Sequence, residues 1–170
     1  CRQNTAYADV GNLGMSVRTL GALVEKFGLH GQQLGEVAMG AVIKHSSDWN
    51  LGREAALSSG LSPLTPGITL QRACGTSLDS IITIGNKIAA GQIESGIGGG
   101  SDTTSDVPIV YGRALRRRLL AANAAKTPKE KLAAFKGFRL RELKPDFPGV
   151  AEPRTGKSMG EHCEDMAKEW

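Results

Sequence analysis

Apolar residues recur at Val17, Leu20, Val24 and Phe27, with Arg18, Glu25 and Lys26 on the other side. That spacing predicts an amphipathic helix ending at Gly28. Glu36–Ile43 is mostly apolar and reads as a buried strand, and Leu51–Leu57 as a short helix closed by Ser58-Ser59-Gly60 and the turn residues Pro63 and Pro66. A second strand is expected over Ile68–Gln71. In the segment that follows, Leu78, Ile81, Ile82, Ile84, Ile88 and Ala89 cover nearly the whole circumference of a helix, which predicts that it lies inside the protein. Gly91 caps it, and Ile93–Gly100 forms a glycine-laden strand. Strands alternating with helices point to an α/β fold with a parallel sheet. From residue 110 the pattern changes to brief helices and loops carrying Pro128, Pro145, Pro148 and Pro153. The chain therefore divides into a core, 1–109, and a helical, basic subregion, 110–170.

Composition adjusts this picture in two places. Twenty-two glycines and 5% aromatic residues imply close packing through small side chains. The net charge of +4 comes mostly from the segment after residue 110, which suggests a local anionic partner rather than a nucleic-acid surface. No apolar run approaches the ~20 residues that cross a bilayer. Three cysteines, Cys1, Cys74 and Cys163, have no metal-type spacing, so no metal site and no disulfide framework is expected; a reducing, cytoplasmic setting follows, with a mitochondrial one as the alternative.

The chemistry concentrates at Thr69-Leu70-Gln71-Arg72-Ala73-Cys74-Gly75-Thr76-Ser77. Here a strand ends in a cysteine at the start of a long helix. Unpaired backbone N–H groups and the positive end of the helix dipole favour thiolate over thiol, and Gly75 leaves room for a substrate. Either a reactive thiol or an inert buried cysteine fits this local pattern. The run Gly96-Ile97-Gly98-Gly99-Gly100 lies inside a strand, whereas a dinucleotide fingerprint needs its glycines between strand and helix; close packing explains it better. Basic residues from Arg113 to Arg141, including Arg116, Arg117 and Arg118, alternate with Leu119, Leu120, Leu132, Phe135, Phe138 and Leu140. This stretch fits a solvated amphipathic face, a contact with phosphates, an anionic membrane surface or a partner subunit.

Several motifs in order resemble one family. Asn50-Leu51-Gly52-Arg53-Glu54-Ala55-Ala56-Leu57, Arg72-Ala73-Cys74, Ala89-Ala90-Gly91 and Gly98-Gly99-Gly100-Ser101-Asp102 are similar to the amino-terminal half of a thiolase. Ser105-Asp106-Val107-Pro108-Ile109 and Ser158-Met159-Gly160-Glu161 resemble the branch that contains the β subunits of fatty-acid oxidation complexes. The sequence departs from the family at Gly75-Thr76 and at Ser101-Asp102-Thr103-Thr104, differences that bear on acyl-chain length.

The resemblance implies a thiolase-like α/β fold, with αβαβα layers in the complete protein and an inserted loop domain. It implies Cys74 as the nucleophile of a 3-ketoacyl-CoA thiolase, with coenzyme A as co-substrate and no resident cofactor, releasing acetyl-CoA or running in reverse. Ser158 and Met159 match the loop-domain positions expected to meet CoA. The family's activating histidine and second cysteine belong to its carboxy-terminal half, so His30, His45 and His162 are not expected to be catalytic, and residues 1–170 alone are expected to be inactive. Implied partners are acyl-CoA and CoA, a second copy of the chain, a hydratase/dehydrogenase α subunit, and a membrane surface touched through 113–141. Two other readings stay open: a 3-ketoacyl synthase-type condensing enzyme and a non-catalytic thiolase-like lipid-binding protein.

Overall fold

A computed structural model describes residues 5–146 and 149–170, so Cys1 and Pro148 lie outside the described residues. The chain divides into two compact units, Cys1–Pro108 and Ile109–Trp170.

In the first unit, the elements follow the order α1 (Asn12–Lys26), β1 (Glu36–Gly40), α2 (Leu51–Ser58), β2 (Gly67–Leu70), α3 (Thr76–Ala89) and β3 (Gly96–Gly100). The three strands form a parallel sheet in the order β2-β1-β3. Because β1 is central, Val37 and Ala38 are fully buried. Strand alternation then sorts the two faces. Val37 and Met39 pack with Leu20, Val24, Leu34, Ala55, Ala56 and Leu61 to make the core beneath α1 and α2. On the opposite face, Ala38 and Gly40 of β1 and Gly96, Gly98 and Gly100 of β3 receive α3. A β-carbon at Gly98 would stand 2.7 Å from the Ile81 Cα, and one at Gly40 would stand 2.3 Å from the Thr76 Cγ2. The glycine run is thus a packing surface that brings helix backbone onto strand backbone.

Several expectations shift. β1 stops at Gly40 instead of continuing to Ile43, because the N–H groups of Val42 and Ile43 bond to the Asp102 carboxylate and leave the sheet ladder. β2 runs one residue earlier, over Gly67–Leu70, and β3 begins at Gly96, after the positive-φ turn at Gly91. Phe27 is 61% exposed at the end of α1, with Lys26 over its ring, and does not join the stripe formed by Leu20 and Val24. The largest correction concerns α3. Only Thr76, Ser80 and Ile84 are buried, whereas Leu78, Ile81, Ile82 and Ile88 are exposed. The sheet has one face to offer the helix, so the other side of an all-round apolar helix has no partner among the described residues of this unit.

The second unit holds β4 (Val110–Tyr111), α4 (Arg113–Ala124), α5 (Pro128–Ala133), a 3₁₀ turn over Leu140–Leu143, β5 (Pro145–Asp146) and α6 (Met159–Glu169). β4 and β5 pair antiparallel, a feature the loop-and-helix pattern did not predict. Arg118 organises this unit. Its Nε donates to Glu142 Oε2 at 2.7 Å, and its Nη atoms donate to the carbonyls of Ala134, Lys136 and Gly137 at 3.1, 2.8 and 3.2 Å. The hydrogen bonds from Arg118 hold the Glu142 carboxyl below its ordinary pKa. A depressed carboxylate stabilises the fold above its unfolded pKa and loses that contribution as pH falls through the folded one. Arg118 is therefore a structural clamp rather than one of a run of equivalent surface cations. Arg118→Ala is expected to speed amide hydrogen exchange across 113–143 by at least about tenfold while leaving 12–100 unchanged, because bonds to one charged group vanish together. Unaltered protection would remove the clamp role.

Candidate active site

The strands β2, β1 and β3 end in register at Leu70, Gly40 and Gly100. In parallel sheets this carboxyl edge is where connecting loops can gather functional groups. The loop leaving β2 turns sharply into α3 and carries Cys74. Ala73 adopts φ +38, a left-handed conformation that costs on the order of 1–2 kcal/mol for a residue with a β-carbon. Thr76 holds the turn from within. Its hydroxyl accepts from the Arg72 N–H at 2.8 Å and donates to the Ala73 carbonyl at 2.9 Å, while the Gly75 N–H bonds the Arg72 carbonyl at 2.8 Å. Arg72 also pairs with Asp79 at 3.3 Å, which ties the loop to the first turn of α3.

Cys74 is free and exposed. It precedes the N-cap Gly75, a residue whose backbone closes the helix without a capping side chain. The thiol lies on a cavity of about 110 Å³ together with Gly40, Ala73, Thr76, Ser77, Gly100, Ser101 and Asp102. These residues come from the ends of β1 and β3, the segment just past β3, the loop that follows β2 and the start of α3. Such an arrangement presents a sulfur at a helix start, beside a small shaped space, on a loop tied by the bonds of Thr76, Gly75 and Arg72.

Other candidates lie elsewhere. Ser158 is the N-cap of α6, and its hydroxyl donates to Glu161 Oε2 at 2.8 Å and accepts from the Glu161 N–H at 3.3 Å in a capping box. Its backbone N–H bonds the same carboxylate at 2.6 Å, and these bonds hold Glu161 below its ordinary pKa. Met159 is 81% exposed at the first position of that helix. Both belong to the second unit, as does the exposed Cys163. His45 Nε2 stands 3.0 Å from Asp106, and His162 Nε2 contacts Thr155 Oγ1 at 3.1 Å and Glu152 at 3.4 Å. His30 packs beside Gly60. Neither described histidine of the first unit hydrogen-bonds to Cys74, and among the described residues no group of three metal-ligating side chains gathers. From sequence, Thr76 and Asp102 stand among the departures that bear on acyl-chain length; their structural partners are backbone groups that no spacing rule marks.

The sequence profile of the family described as "Thiolase, N-terminal domain" matches residues 1–170. The chain belongs to the thiolase family. It is 35% identical over 167 residues to a 3-ketoacyl-CoA thiolase of Yersinia pestis (strain Pestoides F), a match covering 98% of this chain and 38% of the relative. The same figures hold for a 3-ketoacyl-CoA thiolase of Yersinia pseudotuberculosis serotype O:1b (strain IP 31758). This thiolase-family chain thus spans 38% of the length of the curated relatives it matches. Among solved structures, the Bacillus anthracis acetyl-CoA acetyltransferase superposes with a TM-score of 0.71 at 20% identity, over 98% of this chain and 38% of that one. That likeness establishes the thiolase-like α/β fold expected from the sequence. Among the described residues no helix of this thiolase chain is long and apolar enough to cross a membrane.

Proposed function

We propose that this chain supplies the nucleophile of a 3-ketoacyl-CoA acyltransferase and that Cys74 is that nucleophile. The observation that carries the reading is the exposed thiol at a helix start, on a cavity that it shares with the ends of β1 and β3 and the first residues of α3. Its Sγ attacks the C3 ketone and the C2–C3 bond breaks. The electron pair passes to the departing two-carbon unit, which leaves as the enolate of acetyl-CoA and takes a proton at C2. The acyl group remains as a thioester on Cys74. Attack by the thiolate of a fresh CoA then forms acyl-CoA and returns the Cys74 thiolate. A cysteine suits both halves because its thioester is close in energy to that of CoA, so the sequence runs in either direction.

Ser158 and Met159 are proposed to meet CoA. With the Ser158 hydroxyl engaged by Glu161, its contribution is to fix the start of α6, and the exposed Met159 offers the apolar contact. The second copy, the hydratase/dehydrogenase α subunit and the anionic surface are proposed partners. For the last two, α4 supplies exposed Arg116 and Arg117 beside exposed Leu119 and Leu120. Arg116 and Arg117 are the residues to replace in binding experiments, since Arg118 is committed to the fold.

The test is turnover of acetoacetyl-CoA and of a long-chain 3-ketoacyl-CoA by the intact protein in the presence of CoA. Acetyl-CoA should form, and quenching without CoA should leave an acyl mass on the peptide bearing Cys74. Decarboxylative condensation of malonyl thioesters without thiolysis would favour the synthase reading. Binding of acyl chains without any turnover would favour the lipid-binding one.

A further inference from the structure

We propose that Asp102 is a positioning residue for the reaction at Cys74, an inference that rests on the thiolase reading above. Asp102 lies just past the end of β3 and lines the same cavity as the thiol. Among the described residues its carboxylate joins no ion pair and is taken up by backbone instead. Oδ1 accepts from the Val42 N–H at 2.9 Å and from the Ile43 N–H at 2.8 Å, and Oδ2 lies 3.0 Å from the Val42 nitrogen. One carboxylate thereby occupies two successive backbone donors, as a bound anion occupies a nest of N–H groups.

Those two residues continue from Gly40, which forms part of the cavity wall. Gly40 has no slack. A β-carbon there would lie 2.2 Å from the Leu70 carbonyl oxygen and 2.3 Å from Thr76 Cγ2, so its backbone rests on the residue that enters the Cys74 loop and on the residue that closes it. Two further ties hold the same segment: the Ser101 N–H bonds the Gly40 carbonyl at 3.0 Å, and the buried Asn12 amide donates to the Ile43 carbonyl. Ser101 in turn joins Ser16 Oγ at 2.8 Å and the Asn12 carbonyl at 3.0 Å. The path from carboxylate to thiol is therefore continuous. Asp102 fixes residues 42 and 43, these fix Gly40, and Gly40 bears on Leu70 and Thr76 around Cys74.

Asp102 itself is solvent-exposed, so its contribution is not that of a core side chain. What it sets is the placement of a wall against which a substrate carbonyl must meet the sulfur. A shift of about 1 Å in such a placement is enough to slow a reaction about a hundredfold.

The experiment compares Asp102→Ala, Asp102→Asn and Asp102→Glu with the wild type in the intact protein, using acetoacetyl-CoA thiolysis. Asp102→Ala and Asp102→Asn are expected to lower kcat by about thirty- to a hundredfold with KM within about threefold, since loss of positioning acts on the transition state more than on binding. Asp102→Glu keeps the carboxylate beside the same cavity and is expected to recover most of kcat. Iodoacetamide should still alkylate Cys74 at close to the wild-type rate, because a small reagent needs the sulfur and not the wall. Far-UV circular dichroism and melting check folding, and Asp102→Asn, which fills the same space but removes the charge and sets an amide N–H2 donor beside the Val42 N–H, carries the test if Asp102→Ala does not fold. An unchanged kcat in Asp102→Asn, or a Glu variant as slow as the Ala variant, would overturn the positioning role. A wild-type protein with no thiolysis would overturn the proposed function instead, so the two failures are distinct.

Discussion

Cys74→Ser in the intact protein is expected to lose at least about a thousandfold in thiolysis while keeping its secondary structure and melting behaviour. A serine hydroxyl is a weak nucleophile unless a base activates it, whereas sulfur is intrinsically far more nucleophilic than oxygen. The fold should tolerate the change because Cys74 is exposed, and the bonds that shape its loop come from Thr76, Arg72 and Gly75. In the wild type, limiting iodoacetamide at neutral pH should modify Cys74 before Cys163, with activity falling in step. Both thiols are exposed, so accessibility does not separate them. Position does: Cys74 sits at the start of a long helix, and Cys163 lies inside α6. Mass spectrometry that finds activity lost through Cys163 while Cys74 stays unmodified would remove the nucleophile role.

A polypeptide of residues 1–170 alone is expected to show no measurable thiolysis of acetoacetyl-CoA. Nucleophilic attack needs a proton acceptor for the thiol and a donor for the departing carbon. Within the unit that holds Cys74, the described histidines are placed elsewhere, His45 against Asp106 and His30 beside Gly60. The same polypeptide is expected to self-associate at micromolar concentration in a sedimentation or light-scattering experiment. Leu78, Ile81, Ile82 and Ile88 lie 62%, 53%, 49% and 42% exposed along one helix, a contiguous apolar face of the kind that recruits a partner. Turnover by a purified, sequence-verified polypeptide of 170 residues would overturn the view that the remaining catalytic groups lie outside it. A monodisperse monomer would show that the α3 face is tolerated in water.

Local patterns carried much of the first unit. The helix ending near Gly28, the short helix from Leu51 and the strand running into Cys74 all rest on spacing that burial enforces. Strand ends were less legible. β1 looks apolar through Ile43, yet Asp102, some sixty residues on, takes the amides that would have continued the ladder. Arg118 shows the same limit: in sequence it is the third arginine of a basic run, and only the folded chain reveals its carbonyl and carboxylate partners.

By itself, then, the sequence determined the α/β alternation, the place of the glycine-lined packing face, and the cysteine at the strand-to-helix turn, because each depends on side-chain size or hydrophobic period within one element. Tertiary structure alone decided what surrounds that cysteine. The left-handed Ala73 and the two hydrogen bonds of the Thr76 hydroxyl shape the loop locally, while the alignment of Gly40, Leu70 and Gly100 and the clamp of Asp102 on residues 42 and 43 arise only when distant strands pair in register. Backbone hydrogen bonds have no residue code, so a carboxylate that serves two peptide N–H groups looks in sequence like any other acidic side chain.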